Sequence, residues 1–296
     1  MTRTAQLTPS PRAGRPAQGN LLERLQQVPV IVLIGLVLLV TLYPVVWIFL
    51  SAFKTGDEFS SSPMWALPHS FTFANFAQAW TQGHMSVYFL NSVLAVVPSL
   101  ILVVVLSTAA AFGLEIMRWK ARGGVSLLFL LGIMVPLQVV LLPLFTMYFK
   151  AHLLDTRWSL IITYTAFGLP TTIFFLTAYF RNFAREIIEA AVVDGANIYQ
   201  AFGLIVLPMV MNAVVTVTLV QFFFMWNDLL VSLTFINNPD MRTIQAGLLS
   251  FSGQYGQTDW GPTFAAVSLA VLPTLVIYLL LNQKVMKGLA AGSVKG

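Results

Sequence analysis

The side chains of this sequence that could do chemistry are few, and none forms a recognised catalytic arrangement. There is no cysteine, which excludes a thiol nucleophile, a disulfide and a cysteine-ligated metal within the chain. The three histidines, His69, His84 and His152, stand apart and make no H-E-x-x-H pair. A G-x-x-x-x-G-K-[ST] loop that would hold ATP phosphates is also missing from the sequence. The chain is therefore predicted not to be an enzyme and to bind no metal or cofactor itself.

Composition places the chain in a membrane. Of its 296 residues, 57% are hydrophobic and only 9% are charged, and the mean hydropathy is +0.81. Soluble domains are about one quarter charged, so this chain has too few charges to cover a water-facing surface. In so apolar a chain the net charge of +5 is better explained by membrane topology and lipid headgroups than by nucleic acid.

Six charge-free apolar runs are each long enough to cross a bilayer, which takes about 20 residues as a helix. They predict an all-α integral membrane protein with a transmembrane domain at 28–283, an N-terminal tail at 1–27 and a C-terminal tail at 284–296. No Asp, Glu, Lys or Arg falls inside the predicted spans. These spans are 28–51, 87–113, 124–148, 158–180, 206–226 and 262–283.

The positions of the basic residues predict the orientation. With the N-terminus inside, 12 of the 16 Lys and Arg residues lie in segments on the inner side and four lie on the outer side. This bias follows the positive-inside rule. Both termini and the segment 181–205 are therefore predicted to be cytoplasmic, whereas the polar segment 227–261 is predicted to lie outside.

The cytoplasmic segment between the fourth and fifth spans is predicted to form a helix–turn–helix elbow. Residues 184–193 suit a helix, and Gly195 stands where a left-handed residue would close it. Asn197 and Gln200 have the spacing of a capping box that starts a second helix. Pro208 then falls in the first turn of the fifth span, where proline is tolerated.

The elbow helix has an apolar face that needs a cover. One alternative is that this face lies in the lipid headgroups, as amphipathic surface helices commonly do. The other is a partner protein, whose backbone could approach closely at Ala190 and Ala191. The apolar face consists of Ile187, Ile188, Ala191 and Val192.

The elbow resembles the E-A-A…G…I-x-L-P loop of permease subunits from bacterial ATP-binding-cassette importers. The matching positions are Glu189-Ala190-Ala191, Gly195 and Ile205-x-Leu207-Pro208. Other stretches resemble the maltose-type carbohydrate permeases of that family. They are Pro136-Leu-Gln138, Pro143-Leu144, Phe167-Gly168-Leu169-Pro170, Trp226-Asn227-Asp228 and the C-terminal Gly288-Leu-Ala-Ala-Gly292.

This resemblance implies a subunit of an ATP-driven sugar importer in the bacterial inner membrane. The implied partners are a second homologous permease, two cytoplasmic ATPase subunits that hold ATP and Mg²⁺, and an extracytoplasmic sugar-binding protein. The elbow would sit in a cleft of the ATPase, with Glu189 and Asp194 meeting basic or polar groups there. The implied coupling residues are Glu189, Ala190, Ala191, Asp194, Gly195, Ile205, Leu207 and Pro208.

Two further sets of residues are candidates for contacts with substrate or binding protein. Asn91, Ser92 and Gln138 are polar groups at membrane depth that could line the path, although such groups more often hydrogen-bond neighbouring helices. Pro136 and Pro143 are seven residues apart, which predicts a kink with both on one helix face, turned towards a cavity. In the outer segment, the residues proposed to touch the binding protein are Gln254, Tyr255, Gly256 and Gln257. The alternative is that this segment is an ordinary polar connector.

Two other classes of membrane protein fit the sequence less well. An ion-coupled secondary transporter needs an ionisable or ion-binding group near the midplane, and the six predicted spans contain no Asp, Glu, Lys or Arg. An intramembrane enzyme would need paired carboxylates, clustered histidines or a histidine base within the spans. The transported sugar is not indicated by the sequence.

Overall fold

The computed structural model describes residues 19–251 and 258–293, with side chains at 27–251 and 258–281. All regular elements in this part of the chain are helical. The chain divides into two compact units, 1–47 and 48–296. The first contains most of helix α1, and all other helices belong to the second.

In chain order the helices are α1 (Gly19–Ser51), α2 (Gly56–Ser61), α3 (Ala74–Thr81), α4 (Met85–Glu115), α5 (Arg122–Ile133), α6 (Leu137–Lys150), α7 (Arg157–Arg181), α8 (Arg185–Val193), α9 (Ile198–Gln200), α10 (Leu207–Trp226), α11 (Leu230–Phe235), α12 (Ile244–Leu248) and α13 (Trp260–Ser293). A π-helical turn, Ala201–Val206, joins α9 to α10. Helix α1 starts before the predicted residue 28, and α13 continues past the predicted residue 283. The all-α prediction is confirmed for the described residues.

Within residues 19–251 and 258–293, five stretches of helix are long and apolar enough to cross a membrane. The predicted span at 124–148 is different, because α5 and α6 form a pair bent by 97° at residues 134–136. Pro136 adopts an extended conformation just before α6, and a residue that precedes proline is also disfavoured in a helix. The expected kink is present, but Pro143 lies within α6 while Pro136 precedes it. The predicted shared helix face of the two prolines is therefore wrong.

The fifth span also begins differently from the prediction. The stretch from Ile198 to Trp226 runs as one 29-residue helix, with the π-helical turn in its first third. The amide of Leu207 donates to the carbonyl of Phe202, five residues earlier. Pro208 has no amide hydrogen and its ring clashes with the carbonyl four residues before it in a regular α-helix, which accounts for a widened turn at this place. The second elbow helix is thus the beginning of the fifth span.

Helices α4, α7 and α10 pack together at the centre of the second unit. Gly168 of α7 allows a close approach, since a Cβ atom there would lie 2.9 Å from Cγ2 of Val103 in α4. Buried hydroxyl groups in this region donate to the carbonyl one turn earlier, as Ser99, Thr108 and Thr172 do. These bonds satisfy polar groups without a partner helix, so the helices can pack through apolar and small side chains.

Candidate functional site

The inner face of α8 is covered by this chain itself. Ile188 and Ala191 are each only 7% exposed and pack into a cluster that we call the elbow core. Its members come from the last turns of α4 and α7, from α8, from the π-helical turn and from the first half of α10. They are Ala111, Phe112, Leu176, Phe180, Ile188, Ala191, Ala201, Val206, Val210, Ala213, Val214 and Val217.

The outer face of α8 points away from the chain. Glu189 and Ala190 are exposed, Val193 is 86% exposed, and Asp194 and Gly195 continue this surface at the end of the helix. Of the predicted apolar face, this chain therefore covers Ile188 and Ala191, whereas Ile187 is half-buried and Val192 is 53% exposed. Of the predicted alanine pair, only Ala190 is open to a partner.

The turn after α8 has the geometry that the sequence predicts. Gly195 has a φ of +91°, the left-handed region in which glycine carries no side-chain penalty. The amide of Ala196 donates to Ala191 (2.9 Å) and that of Gly195 donates to Val192 (3.0 Å), which is the Schellman pattern of helix termination.

The second helix of the elbow begins with the predicted capping box. The side chain of Asn197 accepts from the Gln200 amide and the side chain of Gln200 accepts from the Asn197 amide, both at 2.9 Å. Each side chain thus satisfies an amide that would otherwise have no partner at the start of the helix. Together with the turn at Gly195, this fixes the angle between the two helices by local hydrogen bonds.

Glu115, at the end of α4, connects three helix ends and was not identified from the sequence. Its carboxylate lies 3.6 Å from Nε of Arg181 in α7, and its carbonyl accepts a bond of 3.1 Å from Arg185 of α8. Exposed ion pairs of this kind contribute little to stability. The pair links the ends of α4 and α7, and the Arg185 bond links the start of α8 to the end of α4.

A cavity of about 320 Å³ lies between α7 and α10. The first residue of α6 and a residue of α11 complete it, so the break before α6 opens onto this space. Irregular backbone at membrane depth is tolerated where it lines such a cavity. The lining consists of Leu137, Thr163, Tyr164, Phe167, Gly168, Thr171, Gln221, Phe224, Met225, Asp228 and Val231.

Two polar side chains of the cavity are fixed by hydrogen bonds. The hydroxyl of Tyr164 donates to Oδ2 of Asp228 at 2.9 Å. The side-chain amide of Gln221 donates to the Thr172 hydroxyl at 3.0 Å and to the Gly168 carbonyl at 3.3 Å. The side chains of Tyr164, Asp228 and Gln221 are therefore held in position before any ligand enters.

Asp228 follows α10 and is also held by the first turn of α11. The amides of Val231 and Ser232 donate to its Oδ2 at 3.1 and 3.4 Å. Burial raises the pKa of the Asp228 carboxyl above its ordinary value, and the bonds from Tyr164 and the amides oppose this rise. The sequence singled out Trp226-Asn227-Asp228 only as a stretch that resembles the family, with no role for the carboxylate.

The residues predicted to line the path lie elsewhere. Asn91 is buried; its amide donates to the carbonyls of Asp240 (2.8 Å) and Arg242 (3.1 Å), and its oxygen accepts from Arg157 (2.9 Å). The hydroxyl of Ser92 accepts from the Ile244 amide at 2.8 Å. Both side chains thus fix the segment that precedes α12 onto α4, which is the alternative role that the sequence left open.

Two predictions remain, for Gln138 and for the outer segment. Gln138 is exposed on α6, next to the cavity residue Leu137. The residues proposed to touch the binding protein, Gln254, Tyr255, Gly256 and Gln257, lie outside the described residues.

Comparison with known proteins identifies the family. Residues 84–287 match the profile of the family described as binding-protein-dependent transport system inner membrane component. The chain belongs to this family. It is similar to a probable ABC transporter permease, YurM of Bacillus subtilis, with 36% identity over 265 residues that cover 90% of this chain and 87% of that protein. The resemblance to permeases of ATP-binding-cassette importers is confirmed. The comparisons support this function over that of an ion-coupled transporter.

Two further comparisons extend this result. The diacetylchitobiose uptake permease NgcG of Streptomyces coelicolor is 34% identical over 257 residues, which cover 86% of this chain and 85% of NgcG. A chain of a bacterial ABC transporter involved in the import of the acidic polysaccharide alginate has the same fold, with a TM-score of 0.79, 18% identity and coverage of 93% of this chain and 99% of that one. This ABC permease is therefore a multi-pass protein of the inner membrane and belongs to a class of subunits that are not enzymes.

The two alanines of the elbow should respond differently to enlargement. Leucine at Ala191 must enter the packed elbow core and should destabilise the permease by about 1–3 kcal/mol, whereas leucine at the exposed Ala190 should change the stability by no more than about 0.5 kcal/mol. Thermal unfolding of Ala191→Leu and Ala190→Leu in detergent measures the difference. Equal unfolding temperatures for the two variants would contradict the assignment of inner and outer faces.

Asn91→Ala should destabilise the permease, because two carbonyl groups and the Arg157 guanidinium lose their partner. A buried unsatisfied polar group costs about 1–3 kcal/mol, which thermal unfolding would detect. The matched control is Asn182→Ala, since the exposed Asn182 bonds only the carbonyl one turn earlier. A variant at Asn91 that unfolds like the parent protein but loses uptake would instead favour the substrate-path role.

Proposed function

We propose that this chain is one of two permease subunits of an ATP-driven, binding-protein-dependent carbohydrate importer. The second permease would be homologous and would enclose the path together with this chain. Two cytoplasmic ATPase subunits would hold ATP and Mg²⁺, and a binding protein outside would deliver the sugar. Carbohydrate is favoured because the relatives described above include a diacetylchitobiose uptake permease.

The observation that carries this proposal is the two-sided contact of α8. Its inner side chains are buried among the ends of α4 and α7 and the π-helical turn, while Glu189, Ala190 and Val193 face outwards. A helix that only lay in lipid headgroups would turn its apolar face away from the chain, but here Ile188 and Ala191 are buried inside it. A force applied to the outer face would reach three membrane helices at once.

The motif residues beyond the turn support the same role in a different way. Ile205, Leu207 and Pro208 lie in or next to the π-helical turn, and Ile205 and Leu207 pack against the elbow core. They connect the elbow to α10 and contribute less to the outer surface. We therefore assign docking on the ATPase to Glu189, Ala190, Asp194 and Gly195, and transmission to the other motif residues.

The cavity between α7 and α10 is the proposed place of the sugar within this subunit. The rings of Tyr164, Phe167 and Phe224 offer apolar surface for the C–H faces of a pyranose, and the polar side chains can exchange bonds with its hydroxyl groups. A volume of about 320 Å³ lies within the range of small-molecule sites. Asn91, Ser92 and Gln138 do not line this cavity, so a role for them in the path is not supported by its geometry.

Gly195→Asp tests the coupling proposal. A Cβ atom at Gly195 meets no atom within 4 Å, so the variant should stay folded in the membrane apart from a strain of about 1–2 kcal/mol in the left-handed region. The added charge would face the ATPase, and unmatched charge at an interface costs several kcal/mol. Uptake and co-purification of the ATPase should each fall by at least about tenfold.

Two controls separate the docking surface from backbone strain. Gly195→Asn is uncharged and tolerates the left-handed conformation better than most residues, so most of the ATPase association should remain. Gly56→Asp adds the same charge in α2, where a Cβ atom also meets open space, and uptake should be unchanged. Normal transport by Gly195→Asp would show that the elbow is not the coupling site.

A further inference from the structure

We infer that Asp228 restricts the cavity between α7 and α10 to neutral and positively charged sugars and excludes anionic ones. This inference rests on the proposed function, in which that cavity receives the transported solute. It adds a class of substrate to the proposed function and assigns the selection of sugars by charge to one carboxylate.

The charge of the cavity comes from a single side chain. Among the residues that line the cavity in the described part of the chain, none is Lys, Arg or His, and Asp228 is the only carboxylate. The nearest arginine along α7, Arg157, lies two turns before Tyr164 and bonds Asn91. The field of Asp228 is therefore not balanced by a cation in the cavity wall.

The bonding of Asp228 keeps this charge at the cavity wall. Its donors are the Tyr164 hydroxyl and the amides of Leu230, Val231 and Ser232, which are neutral dipoles that orient the carboxylate without cancelling its charge. Oδ2 accepts from Tyr164, Val231 and Ser232, and Oδ1 accepts a further contact of 3.4 Å from the Val231 amide. A hydroxyl or ammonium donor from a ligand would therefore meet a charged acceptor at the cavity wall.

The size of the expected effect follows from the interaction of two unit charges. At a separation of about 6 Å and an effective dielectric constant of about 20, like charges change an affinity by roughly a hundredfold. A uronic acid or a sugar phosphate would lose affinity through this repulsion. The ammonium group of an amino sugar would gain affinity by a similar attraction. A neutral sugar would use Asp228 only as a hydrogen-bond acceptor.

The absence of cysteine from the sequence allows a direct measurement of the cavity potential. A thiol is placed in the lining at Thr171→Cys or, at the more exposed rim, at Phe224→Cys, in the assembled transporter. Modification of this chain is then timed with a trimethylammonium-ethyl and a sulfonato-ethyl methanethiosulfonate, and each rate is divided by that of neutral methyl methanethiosulfonate. The ratio of the cationic to the anionic rate reports the local charge, because any change in thiol reactivity affects both reagents alike.

Asp228→Asn is the decisive variant, since asparagine keeps the shape of the side chain and can still accept from Tyr164 and the amides. The cationic-to-anionic ratio should fall by at least about tenfold in this background. Asp57→Asn, which removes the same charge from the exposed first turn of α2, should leave the ratio unchanged. An equal ratio with and without the Asp228 charge overturns the inference, whether or not the protein transports sugar.

Protection of the thiol by sugars tests the substrate class. With Asp228 present, the glucosamine disaccharide should slow modification by the neutral reagent and the galacturonic acid disaccharide should not, and this difference should disappear in Asp228→Asn. Equal protection by both disaccharides in the presence of Asp228 overturns the inference. If no neutral, cationic or anionic disaccharide protects the thiol, the cavity is not the sugar site, and the placement of the substrate in the proposed function fails together with the substrate class.

Discussion

The burial of Ile188 and Ala191 among the ends of neighbouring helices is the contact on which the rest of this structure depends. An amphipathic helix outside the membrane is stable only if its apolar side is removed from water. Here the chain covers that side itself, with Phe112 of α4 and Phe180 of α7 in edge contact above it. The opposite side of the same helix is left for a partner. Without this contact α8 would be a surface segment that is joined to the membrane helices only through the chain and does not pack against them.

Proline determines where the membrane helices depart from regular geometry. Pro136 separates α5 from α6, and Pro208 follows a widened turn in the helix that leads from the elbow into the membrane. In both places a missing amide hydrogen changes the backbone at a position that matters for function: one irregularity opens onto the cavity and the other lies beside the elbow core. An irregular backbone costs free energy in a bilayer. Its presence beside the cavity and beside the elbow core therefore points to a functional role at both sites.

The elbow could be predicted from the sequence because its geometry is local. The left-handed Gly195 and the capping box of Asn197 and Gln200 depend on residues within one or two turns, and residue type alone indicates them. The spans were predictable for a similar reason, since length and lack of charge are sufficient. The sharp bend at Pro136 was expected only as a kink, because the angle depends on what the two halves pack against.

Contacts between distant residues could not be predicted in this way. Asn91 bonds carbonyl groups 149 and 151 positions further along the chain, and no local pattern distinguishes such a residue from one that lines a path. Ala190 and Ala191 are identical in type, but one is exposed and the other buried. Asp228 stood just beyond the end of a span, and only the fold brings its carboxylate to Tyr164.

The uninterrupted stretch from Ile198 to Trp226 has a mechanical consequence. At 1.5 Å per residue its 29 residues form a rod of about 43 Å, with the elbow core at one end and the wall that carries Asp228 just past the other. By simple leverage, a tilt of about 5° around the elbow end displaces the far end by about 4 Å, more than the 2.9 Å that joins Asp228 to Tyr164. A tilt of this size would thus be large enough to separate Asp228 from Tyr164.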